Sequence, residues 1–308
     1  MKGIILAGGT GSRLYPTTVA VSKQLLPVYD KPLVYYPLST LMLAGIRDIL
    51  IVCNPSHAAQ FHDLLGDGSA FGISINYAIQ SEPKGIPDAF VVGKHFIGHE
   101  DVFLVLGDNI LYGSGLTEML SETVRANRGC TVFPHRVRDP SRFGVLTLDE
   151  HGQAVGVEEK PTKPTSNLAL TGHYVFDNDI VEISKSLKPS PRGETEITEA
   201  IQLYMEKQML DFCTLGRGFA WFDTGTHNSL LEASQFVETI EARQGTKIAC
   251  IEEIAFNNGW MTIDEVFEKV KAAPKNCYSE YLRSVALVGA SHGVEDIAET
   301  YFLERMRG

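Results

Sequence analysis

The chain has 308 residues, 44% of them hydrophobic and 21% charged, with 27 Lys and Arg against 38 Asp and Glu and a formal net charge of -11. That apolar share excludes a disordered chain, and 28 Gly and 14 Pro are too few for collagen-like or low-complexity classes. An acidic chain with no basic run does not suit nucleic acid, which takes many phosphate contacts, but it can bind a small phosphorylated ligand if its few cations are gathered in one place.

The first half alternates strand-like apolar runs with amphipathic segments. Residues 4–7 read as a buried strand ending in glycines, and 34–44 as a helix with Pro32 near its first turn and Gly45 as its stop. Next come a strand at 49–52, a helix at 57–65, a strand at 73–79, a short helix at 89–95 and a buried strand at 102–106. This βαβ alternation predicts an α/β fold with a mostly parallel sheet flanked by helices. Strands at 144–148 and 154–159 bracket a hairpin turn at 149–152. A loop at 162–166, a strand at 168–176 and a helix at 177–187 follow, then a Pro/Gly break at 189–193. A helix at 194–207 is expected to be capped by Glu194 or Thr195, and a long helix spans 226–243. From Glu252 onward only helices are expected. The reading is one large α/β domain, 1–245, with a helical C-terminal addition, 246–308.

The five cysteines, at 53, 130, 213, 250 and 277, have no zinc or redox spacing and read as reduced thiols. The longest apolar stretch, 33–46, is broken by Pro37, Ser39 and Thr40 and is too short to span a bilayer. The apolar run at 4–7 is too short for a signal peptide, so a soluble cytoplasmic protein is expected. His57 and His62 miss the spacing of one helix face.

Residues 6–14, LAGGTGSRL, form a glycine loop directly after the first strand. Gly8, Gly9 and Gly11 let backbone N–H groups curl around an anion, with Thr10 between them and Ser12 directly after. The loop lacks the Gly-Lys-Ser/Thr ending of a P-loop, and Leu14 stands where a dinucleotide fingerprint needs its third glycine. What remains is a phosphate-cradling loop with its own cation, Arg13, and a second one at Lys23. Thr10 and Ser12 have no His-Asp partner motif that would make either a nucleophile.

Asp108 follows a buried strand at the edge where such sheets bind ligands, although an Asp after Gly also suits a turn. Asp223 follows Ala220-Trp221-Phe222 at another strand end, and two carboxylates suit Mg²⁺. Lys160, read alone, is a surface charge in an acidic stretch. Gln80 reads either as a polar strand end or as an amide whose donor and acceptor match the imide of thymine or uracil.

Motifs extend this reading along the chain: LAGGTGSRLYP at 6–16, SKQLLPVYDKPLVYYPLSTLMLAGI at 22–46, GDN at 107–109, EEKP at 158–161, SNLALTG at 166–172, RGETEIT at 192–198 and GRGFAWFDTGTH at 216–227. Together they resemble the sugar nucleotidylyltransferases, most closely the branch acting on dTTP and glucose 1-phosphate. The resemblance implies a Rossmann-like fold of the nucleotide-diphospho-sugar transferase type and Mg²⁺-dependent transfer of dTMP to glucose 1-phosphate. The products would be dTDP-glucose and pyrophosphate, at the entry to dTDP-rhamnose synthesis. It implies catalytic cations at Arg13, Lys23 and Lys160 and a Mg²⁺ pair at Asp108 and Asp223. It implies base contacts at Gln80 and Gly85, and sugar contacts at Gly144, Glu159, Thr171 and Gly172. It also implies a homotetramer with an allosteric nucleotide-sugar site between subunits. A UTP-preferring enzyme and a catalytically silent binding protein are the alternatives. A glycosyltransferase fails because Asp108 is followed by Asn109-Ile110 rather than completing an Asp-x-Asp motif. The chain departs from the family's pattern at Lys84, Pro87 and Asp88, and at Phe143, where tyrosine is usual. The tail at 283–308 is longer than the family's and is expected to be a helix covering a neighbouring subunit.

Overall fold

The computed structural model describes residues 1–292, so the end of the 283–308 tail lies outside the described residues. In chain order the elements begin with β1 (Lys2–Ala7), a small hairpin β2 (Pro27–Val28) and β3 (Lys31–Pro32), α1 (Tyr35–Leu43), β4 (Asp48–Cys53), α2 (Ala58–Leu65), β5 (Ser74–Ile79), α3 (Asp88–Val92), α4 (Lys94–Ile97) and β6 (Val102–Leu106). They continue with β7 (Asn109–Gly113), α5 (Leu116–Ala126), β8 (Cys130–Arg136), β9 (Gly144–Leu148), β10 (Ala154–Glu159), β11 (Leu168–Phe176), α6 (Ile180–Ser186) and α7 (Ile197–Glu206). The chain then forms β12 (Leu210–Phe212), β13 (Phe219–Asp223), α8 (His227–Gln244), α9 (Ile251–Asn257), α10 (Ile263–Ala272) and α11 (Cys277–His292).

The main sheet runs β10-β9-β11-β6-β1-β4-β5, with β8 on β11 and β12 on β8. Its half from β6 to β5 is parallel, and β11, β9 and β10 join antiparallel. β1 lies between β4 and β6, so both of its edges are paired, and a core packs on each of its faces, which is why its sequence is a continuous apolar run. Alternation sends Ile5, Ile49 and Ile51 to one core with α1, α2 and the helices after 250. Ile4, Leu50 and Val52 go to the other, with α3, α6 and α7. Four parallel strands end at one edge, which brings the loops after β1, β5 and β6 together.

The structure corrects the pattern reading in three places. The helix expected at 89–95 is two short helices broken at Gly93, where a Cβ would lie 2.9 Å from the Ala89 carbonyl and 3.0 Å from Leu50. α7 starts at Ile197 with Glu196 at its cap position, because Thr195 is taken by the Lys84 carbonyl, to which its N–H and hydroxyl donate at 2.9 and 2.8 Å. The pattern assigns nothing to 109–136, where β7, α5 and β8 lie. Among the described residues no helix is long and apolar enough to cross a membrane.

Candidate active site

The glycine loop leaves β1 and closes on a 3-10 turn, Ser12–Leu14, with Gly11 left-handed at φ 64°. Leu14 is fully buried, which explains why a third glycine is absent: the position is a core anchor. Gly9, Thr10, Ser12 and Arg13 are exposed, and Gly8 backs onto Gln80, whose Oε1 a Cβ there would strike. The Arg13 guanidinium lies against Gly225. A Cβ at Gly225 would fall 3.0 Å from Arg13 Cζ and 3.1 Å from Asp223 Oδ1, so the bare glycine lets the cation settle beside the carboxylate.

Asp108 and Asp223 sit on one cavity of about 480 Å³. β13 pairs antiparallel with β7, setting Asp223 opposite Asn109, and Thr224 donates to the Asp108 carbonyl from its N–H (3.1 Å) and its hydroxyl (2.8 Å). Lys23 forms an ion pair and hydrogen bond with Asp108, and Arg142 Nη2 lies 3.9 Å from Asp223. Burial works to raise the Asp108 carboxyl, but the charge and hydrogen bond of Lys23, with the Asn109 amide, bring it below the usual range. Burial and then the charge of Asp108 raise the Asp223 carboxyl, against the pull of Lys23, Arg13 and Arg142. The two carboxylates feel each other, which residue spacing alone could not show.

The opposite wall comes from the antiparallel half of the sheet. Glu159 accepts from Thr198 Oγ1 (3.3 Å), and Lys160 and Arg192 flank it at 3.2 and 3.4 Å. Lys160 adopts φ 43°, with its N–H on the Phe143 carbonyl at 3.0 Å. Gly144 packs on α7, where a Cβ would meet Thr198 Cγ2 at 2.8 Å. Gly172 lines the cavity, whereas the fully buried Thr171 turns its hydroxyl to His173 Nδ1 at 3.2 Å. Gly85, at φ 104°, presses its backbone on Thr195, where a Cβ would strike the carbonyl.

Among the residues on this cavity that had no role in the sequence reading, four shape its chemistry. Arg142 and Arg192 bring its cations, with Arg13 and Lys160, to four against three carboxylates, in a chain of net charge -11. Trp221 packs on Phe143 with ring centroids 4.9 Å apart. Asn109 is 2% exposed and ties the walls together: Nδ2 donates to Asp108 Oδ1 (3.1 Å), while Oδ1 accepts from Gly172 N (3.2 Å) and Trp221 Nε1 (2.6 Å). The period of two from Asp223 points to Trp221, but no local signal marks Arg142. A larger, open groove of about 740 Å³ lies by the β9–β10 turn and holds none of the predicted site residues.

Residues 2–240 match the Nucleotidyl transferase family. The glucose-1-phosphate thymidylyltransferase of Neisseria meningitidis is 55% identical over 92% of this chain and 98% of its own. A solved Bacillus anthracis chain assigned as a glucose-1-phosphate thymidylyltransferase superposes with TM-score 0.71 at 38% identity, over 77% of this chain and 94% of that one. A solved UDP-glucose pyrophosphorylase carrying UDP-glucose gives TM-score 0.69 at 26% identity, over 78% and 98% of the two chains.

Proposed function

The chain belongs to the Nucleotidyl transferase family, beside the glucose-1-phosphate thymidylyltransferases, and from that premise we propose that it transfers dTMP from dTTP to α-D-glucose 1-phosphate. The observation that carries this reading is the single cavity that Arg13, Lys160, Arg142 and Arg192 line together with the Asp108–Asp223 pair. Two phosphorylated substrates need several cations in one place, and a metal cofactor needs hard carboxylates among them.

A phosphate oxygen of glucose 1-phosphate attacks the α-phosphorus of dTTP in line. The bond from that phosphorus to the bridging oxygen breaks, and pyrophosphate leaves without a covalent enzyme intermediate. Such a reaction needs positioning and charge stabilisation above all. Arg13 and Lys23 hold the triphosphate beside the glycine loop, and Lys160 holds the attacking phosphate. Glu159, Gly144 and the Thr171-Gly172 backbone take the sugar, and Gln80 and Gly85 the base.

The cofactor of the proposal is Mg²⁺, held by Asp108 and Asp223. Among the described residues no three His, Cys, Asp or Glu side chains gather as a metal site. Two carboxylates completed by substrate phosphates and water suffice for Mg²⁺. The donor set fits, since burial and the charge of Asp108 drive the Asp223 carboxyl upward, and a cation held by the two carboxylates would offset the repulsion between them. When bound, the ion neutralises phosphate charge. The rhamnose pathway, the homotetramer and its allosteric site rest on the family resemblance alone.

The test is kcat/KM for dTTP, UTP and CTP with glucose 1-phosphate. The expected order is dTTP, then UTP at a measurable level, then CTP near background. A missing methyl is worth only about 1–3 kcal/mol, whereas an inverted hydrogen-bond pattern leaves buried groups unpaired. CTP or a purine nucleotide outperforming dTTP overturns the assignment.

A further inference from the structure

Gln80 stands just past β5 and is 5% exposed. Its Nε2 donates to Asp88 Oδ2 at 2.8 Å, and its Oε1 rests against Gly8 of the glycine loop. Asp88 is the first residue of α3, held in place by the buried Pro87 before it and the buried Ala89 after it. An amide can be turned over about its terminal bond, exchanging donor and acceptor. A carboxylate, however, only accepts. The Gln80 NH₂ group must therefore face Asp88, and Oε1 must face away from it.

We propose that Asp88 is a specificity-determining, positioning residue: by holding the Gln80 amide in one orientation, it makes the site accept an imide base and reject cytosine. This deepens the proposed dTTP reading and rests on it. Thymine offers an N3–H donor beside a carbonyl acceptor. Gln80 in its held orientation presents Oε1 to the N3–H and its second N–H to that carbonyl. Cytosine offers the reverse, an acceptor at N3 beside an amino donor. Pairing with it requires the amide to turn over, which sets Oε1 against the Asp88 carboxylate. That exchange loses a charge-assisted hydrogen bond and places two acceptors face to face in a part-buried position. Asp88 acts on the base only through Gln80.

The test compares kcat/KM for dTTP and CTP, with glucose 1-phosphate, in Asp88→Asn, Asp88→Ser, Asp88→Glu and Gln80→Met. Asn and Ser both donate as well as accept, so either lets the amide sit both ways, and the dTTP-to-CTP ratio falls by about tenfold or more in each. Glu at 88 keeps an obligate acceptor and holds the ratio within about threefold of wild type. A merely structural role lowers both nucleotides together and leaves the ratio unchanged in the Asn and Ser variants, and that result overturns the proposal. Gln80→Met separates the two levels. If Gln80→Met collapses the ratio while Asp88→Asn and Asp88→Ser do not, only the role of Asp88 falls. If Gln80→Met leaves the ratio intact, Gln80 does not read the base and the role of Asp88 falls with it, whereas the dTTP reading falls only if CTP outperforms dTTP in the unaltered protein.

Discussion

Asn109→Ala removes the side chain that joins the two walls of the cavity. Two donors lose their acceptor, the Gly172 N–H at 3.2 Å and the Trp221 indole N–H at 2.6 Å. A buried donor left unpaired costs about 1–3 kcal/mol, so the variant should lose about 2–6 kcal/mol. That is a large part of the about 5–15 kcal/mol that holds a typical native protein. At about 2.1 cal/mol/K of unfolding entropy per residue, each kcal/mol moves the midpoint of a 308-residue chain by about 1.5 °C, so thermal unfolding should shift down by at least about 3 °C. Urea unfolding of a double-mutant cycle isolates the cause. In a Trp221→Phe background one of the two orphaned donors no longer exists, so the same Asn109→Ala change should cost about 1–3 kcal/mol less. A single-variant cost below about 1 kcal/mol, or a coupling below about 0.5 kcal/mol, refutes this account of Asn109.

Three further outcomes follow from the geometry. Asp223→Asn should nearly abolish turnover with an unchanged melting temperature, since one of two carboxylates proposed to hold one cation is lost; activity that persists with normal Mg²⁺ dependence contradicts the pairing. Lys160→Ala should raise KM for glucose 1-phosphate by about tenfold or more while moving KM for dTTP far less, and equal rises in both remove its assignment to the sugar phosphate. Burial pushes the Glu253 carboxyl from the ordinary 4.5 up to about 7, with the Tyr281 hydroxyl pulling back, so the folded chain keeps a proton that the unfolded chain releases. The stability of that protonated form is full below the unfolded value and is lost as pH rises through the folded one. Urea unfolding across pH 4.5 to 7 should show this decline, and Glu253→Gln should flatten it; parallel slopes in the two proteins rule the effect out.

The sequence made visible those parts of the site that sit at ends of apolar runs. β1 and β6 are buried on both faces, so their ends marked the glycine loop and Asp108 without any tertiary information. The meeting of Asp108 with Asp223 was not visible, because β7 and β13 form a separate ribbon whose pairing spans more than a hundred residues. Gly85 read as a ligand contact, yet its left-handed backbone is also required for packing on Thr195, a purely tertiary demand. The same contact moved the start of α7 away from its expected caps. Arg142 carries no pattern of its own. It becomes a site residue only because β9 delivers the loop before Gly144 to the cavity.

Product analysis from dTTP, glucose 1-phosphate and Mg²⁺ tests the central claim most directly. The cavity with its four cations and two facing carboxylates is proposed to join two phosphorylated substrates, so each dTTP consumed should yield one dTDP-glucose and one pyrophosphate. Chelation of the metal, or Asp223→Asn, should stop both products together. Consumption of dTTP without a sugar nucleotide, by hydrolysis to dTDP and phosphate or to dTMP and pyrophosphate, would contradict it.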